Sequence, residues 1–139
     1  MLCRTYAEVA RILKDGGGVY MVDFGHLKSA RSIDYFAYQY ADKQPQLFTE
    51  DYYNSLRAAF YPDDFRQAVT PLEGRAKLYS TIALPFMMAL KSAPRRAADP
   101  ALAAELKRMR QRLPEWHKHD FTDLRRHFGM NRMHCSLIE

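Results

Sequence analysis

A chain of 139 residues, 47% hydrophobic and 27% charged, is long enough to bury a core and too apolar for a disordered segment. Its longest uncharged apolar run, 78–90, falls short of the roughly 20 residues a bilayer-spanning helix needs. Cys3 and Cys135 lie at opposite ends in no CxxC motif, and no secretory signal opens the chain. The expectation is one domain over 1–139 with free thiols in a reducing cytoplasm. The net charge of +5 is unevenly placed: residues 1–70 carry 8 Lys/Arg against 9 Asp/Glu, and residues 71–139 carry 13 against 7. A neutral half joined to a basic half favours an acidic partner.

Helix signals dominate in chain order. Thr5 and Glu8 are spaced as a capping box before Tyr6, Val9 and Leu13 at i, i+3 and i+7, and Gly16 is a terminator. The β-prone "VYMVDF", 19–24, reads as a strand. Ser32 is the candidate cap of a helix with Ile33, Phe36 and Tyr40 on one face, and the next begins at Thr49 with Glu50 and Asp51 in its first turn. Pro62 opens a short helix over 62–69. Residues 70–90 give the strongest helix signal: Thr70 as cap, Pro71 at the first position, Glu73 closing a box. Leu72, Ala76, Tyr79, Ala83, Phe86 and Leu90 then form one stripe, with a bend expected at Pro85.

After a linker over 92–99, Asp99 caps a helix starting at Pro100 whose apolar face is Leu102, Leu106, Met109 and Leu113. Thr122 caps a last short helix stopped by Gly129, and 132–139 alternates as a terminal strand would. The fold class this implies is mainly α: a compact single-domain helical bundle of six to seven helices. A small two-stranded β pairing of about 19–24 with 132–138 can be added to it.

Chemistry concentrates in "PEWHKHDFTDLRRHFGMNRMHC", 114–135, which holds four of the five histidines. His117, His119, Asp123, His127, His134 and Cys135 supply metal-ligand types, but their spacing matches no HExxH, CxxC or HxHxDH pattern. No metal or cofactor is assigned. A metal-dependent enzyme built on 117–135 stands as the minor alternative. Nucleophilic catalysis has less support, because His134 and Cys135 would point to opposite faces of a strand. The paired carboxylates Glu50/Asp51 and Asp63/Asp64 read as helix-start residues. The glycines at 16–18 lack a phosphate-loop pattern.

Basic residues are the stronger signal. Lys107, Arg108, Arg110 and Arg112 fall on faces of the 100–113 helix away from its Leu/Met stripe. Arg95 and Arg96 precede it; Lys118, Arg125, Arg126 and Arg132 follow. Arginine forks suit phosphate or carboxylate, and the sequence pI of about 9.3 fits an electrostatic footprint. Ten of 18 aromatic residues lie between Tyr35 and Phe65, and adjacent pairs such as Tyr52/Tyr53 cannot both face one core. The sequence therefore points to a small non-enzymatic binding or regulatory protein. It would dock on an acidic protein surface or a nucleoprotein complex through its basic C-terminal face, Tyr52 and Tyr53, or both. An inhibitor of a nucleoprotein machine fits that profile. Direct DNA or RNA binding by the 95–132 arginines is the main alternative.

Overall fold

The computed structural model describes residues 1–135. These form, in order, α1 (Leu2–Ile12), β1 (Tyr20–Phe24), α2 (Ala30–Tyr38), α3 (Gln46–Ala58), α4 (Pro62–Ala68), a 3₁₀ turn (Thr70–Leu72), β2 (Lys77–Ser80), β3 (Met87–Lys91), α5 (Pro100–Arg112) and α6 (Glu115–Met130). The fold is mainly α with a small antiparallel sheet of order β1-β3-β2. It is not the helical bundle expected from the sequence.

The largest correction concerns 70–90. Only one 3₁₀ turn follows Pro71, and Gly74 takes a left-handed φ of 77° that ends it. The chain then runs out and back as β2 and β3. The connecting loop is tied by Thr81, whose Oγ1 donates to the Leu84 carbonyl at 2.6 Å and accepts from the Met87 amide at 3.1 Å. Pro85 sits in this loop rather than bending a helix. Its carbonyl oxygen lies 2.0 Å from where a Cβ on Gly25 would be, so only glycine allows the end of β1 to pass the loop.

β1 forms where expected but pairs with β3, Tyr20 opposite Lys91 and Phe24 opposite Met87, and not with 132–138. Residues 132–135 are not a strand, and 136–138 lie outside the described residues. Because side chains alternate along β3, Met88 and Leu90 face one side while Met87 and Ala89 face the other. Met88 and Leu90 pack with Tyr6 of α1, Phe65 and Ala68 of α4, and Leu72. A second core joins α2 and α3 through Leu27, Ile33, Ala37 and Leu56, with Phe24 and Phe86 packed against it.

Helix boundaries follow capping chemistry that differs from the sequence reading at several ends. Ser29 rather than Ser32 caps α2; its Oγ accepts from the Ser32 amide at 3.1 Å. α3 starts a turn early, at Gln46, so Glu50 and Asp51 are mid-helix and Thr49 is buried. α1 starts at Leu2, which leaves Thr5 donating to the Met1 carbonyl and Glu8 paired with Arg11 at 2.6 Å in place of a capping box. The other end of α1 is closed from a distance. Arg75 donates to the carbonyls of Ala10 and Lys14 at 3.1 Å each and to that of Leu13, satisfying acceptors the helix leaves open.

Candidate functional site: a cationic helix pair

α5 begins as the sequence dictates. Asp99 Oδ1 accepts from the Ala101 amide at 2.9 Å, and Pro100 takes the first helical position. Pro114 then pushes Leu113 into extended geometry, ψ 145°, and the chain re-enters a helix one residue later. α6 runs unbroken from Glu115 to Met130. Thr122 is therefore mid-helix, its Oγ1 donating to the Lys118 carbonyl at 2.7 Å, and caps nothing. Gly129 lies inside the helix; the stop comes at Arg132, with a left-handed φ of 60°.

α6 is fastened at both ends. Near its start, Tyr40 donates its phenol proton to Asp120 at 2.9 Å, and the Tyr40 ring lies 4.6 Å from that of Trp116. Burial, reinforced by that carboxylate, pushes the Tyr40 phenol pKa up. At its end, Asn131 Nδ2 donates to the Ser80 carbonyl at 2.9 Å, and His127 Nδ1 lies 3.2 Å from the Ile82 carbonyl. Between these points Phe128 is buried.

α5 is different. None of its residues is buried. The stripe expected to face the core is half-buried at Leu106 and Leu113 but open at Leu102 (46% exposed) and Met109 (56%). At 100° per residue, Arg108 and Arg112 flank this stripe on one side, Arg110 and Lys107 on the other. All four cations are exposed. Arg108 pairs with Glu105 one turn back; Arg110 lies over the Phe121 ring of α6. Lys107 and Arg112 have no acidic partner among the described residues.

The remaining predicted cations are distributed unevenly. On α6, half-buried Lys118 pairs with Glu115 at 2.6 Å, exposed Arg126 with Asp123 at 3.4 Å, and Arg125 is exposed. Arg132 is exposed just past the helix. Arg96 is exposed in the 92–99 linker, while Arg95 lies against the turn after α1, its Nε 3.3 Å from where a Gly18 Cβ would be. The predicted cations from 107 to 126 therefore lie on α5 and α6, two successive helices joined by the Arg110–Phe121 contact, and Arg95 turns toward a different turn of the fold.

Tyr52 and Tyr53 are half-buried. Tyr52 packs 5.4 Å from Phe24, and burial next to Asp120 pushes its pKa up to about 12. Tyr53 lies 5.6 Å from Tyr38 and under Arg57. The exposed rings of this region are instead Tyr35, Tyr38, Phe48 and Tyr61. A helical wheel contains that signal for α2, since Tyr35 and Tyr38 lie roughly 140–200° from buried Ile33.

The histidines are dispersed. His117 stacks on Trp116, His119 lies 3.4 Å from Asp123, and among the described residues no three His, Cys, Asp or Glu side chains converge to hold a metal ion. No described helix is long and apolar enough to cross a membrane. Comparison with family models, curated proteins and solved structures finds no match for this chain.

Proposed function

We propose that this chain is a non-enzymatic binding protein whose α5, supported by α6, docks on an acidic and partly apolar surface of a protein partner. The observation that carries this reading is that α5 buries none of its residues while framing Leu102 and Met109 with arginine and lysine on both sides. A helix of 13 residues is marginal in water unless its apolar face is packed, so an open stripe of this kind is completed by a partner. The charge specifies what that partner is. Lys107, Arg108 and Arg112 suit carboxylates, and the exposed leucine and methionine find apolar contact on a protein that a phosphate backbone does not offer. The Arg108–Glu105 pair is exposed on both sides and worth about 0–1 kcal/mol, so Arg108 is easily recruited to another carboxylate. Such a module acts as a regulator or inhibitor by covering its partner's acidic surface.

The test is co-purification of the full chain from its native host, with and without nuclease. The expected result is a stoichiometric protein partner that survives nuclease and is lost from the Arg108→Glu/Arg112→Glu variant. A partner equally retained by that variant excludes the α5 face. Recovery abolished by nuclease points to direct nucleic-acid binding instead.

A further inference from the structure

A cavity of about 370 Å³ lies between α6 and the sheet face opposite the α1/α4 core. Its apolar walls include Val22 of β1, Met87 of β3, and Phe121 and Phe128 of α6, and Tyr20 and His134 bring polar groups to its rim. That volume is at the lower end of small-molecule sites, which are typically apolar with a few placed polar groups. Arg125 also lines it, and takes part in no ion pair among the described residues. Gly129 is an independent observation. It lies in α6, where glycine costs helix stability, yet it has no positive φ and a Cβ there would meet nothing within 4 Å. Neither turn geometry nor close approach requires glycine at 129. What its missing side chain does is leave the cavity open.

We infer that this cavity is a binding site for a small amphiphilic acid, an apolar body carrying a carboxylate. The body packs between Val22, Met87 and the two phenylalanines, and the carboxylate pairs with the Arg125 guanidinium. A cation beside apolar walls favours an acid over a neutral chain, which would leave Arg125 unanswered. The cavity adjoins the α5 docking face through Phe121, but its test reads small-molecule binding and the α5 test reads partner binding, so the two readings fail separately.

The test uses the full chain and displacement of 1-anilinonaphthalene-8-sulfonate, followed by fluorescence. Wild-type protein should bind the probe saturably at one site, and decanoate should displace it at least tenfold more effectively than decanol. Arg125→Gln should abolish that preference. Gly129→Leu, which fills the cavity, should remove probe and decanoate binding while thermal unfolding stays cooperative at or above the wild-type temperature. Val22→Trp blocks the same space from β1 and serves if the Gly129 variant does not fold. Decanoate binding undiminished in a folded blocking variant, no saturable binding by the wild type, or equal displacement by decanol overturns the inference.

Discussion

The guanidinium of Arg110 lies over the ring of Phe121, 5.5 Å from its centroid, and so joins α5 to α6. Of the four cations on α5, Arg110 is thus turned toward its own fold. An exposed cation–π contact is worth about 0.5–1 kcal/mol. Arg110→Gln should loosen α5 by that amount, seen as faster amide exchange across 100–112, and should add nothing in a Phe121→Leu background. Charge reversal at Arg108 and Arg112 loses the Glu105 pair and a cation at the helix C-terminus, so it should speed exchange in α5 only slightly and act mainly on partner binding.

Arg132 occupies the left-handed position after α6, where its amide donates to the Gly129 carbonyl at 2.9 Å and the Met133 amide to that of Phe128 at 3.0 Å. This is a Schellman ending with arginine where glycine is the favoured residue. Arg132→Gly should stabilise the chain by about 0.5–1 kcal/mol in urea unfolding. A loss of partner affinity in the same variant would show that the backbone strain is tolerated for the sake of the charge.

Gly25 permits the close pass of β1 beneath the Pro85 carbonyl. Gly25→Ala has to move backbone rather than a flexible side chain. It should cost about 2–3 kcal/mol or more, read as a lower urea midpoint. Gly74→Ala, where nothing lies within 4 Å, should cost about 1 kcal/mol for its positive φ alone.

Alkali should unfold the second core through Tyr52. Its folded pKa, about 12, lies above the unfolded value near 10, so the fold favours the neutral phenol. That contribution is complete below about pH 10 and is lost as pH rises toward 12. Tyr52→Phe should flatten the fall in unfolding free energy between those limits. The residual slope reflects Tyr6, Tyr20 and Tyr40, whose pKa values burial also raises.

What the sequence revealed depended on whether the signal was local. Asp99–Pro100 and Pro62 mark helix starts by their own chemistry, and both did so here. The β-prone 19–24 run likewise became β1. The 70–90 segment misled because Leu72, Ala76, Tyr79, Ala83, Phe86 and Leu90 reproduce helical spacing by coincidence, while β3 is covered on both faces and shows no alternation. Pro85 and the β-branched Thr81–Ile82 pair were the contrary indications. α5 was recognised, but its Leu/Met stripe implies burial only if something packs there, and nothing local reports that. The cavity brings residues 20 and 22, 87, 121–129 and 133–135 together, a relation no local pattern encodes. Thr122 and Gly129 punctuate α6 on paper, yet its Tyr40 and Asn131 anchors hold it continuous.

Calorimetric titration of the co-purified partner with wild type and with Arg108→Glu/Arg112→Glu tests the central claim most directly. Docking through α5 predicts affinity at least about tenfold weaker in the variant, a loss of about 1.4 kcal/mol, with wild-type binding falling as salt rises. Equal affinity for both chains, insensitive to salt, would contradict it.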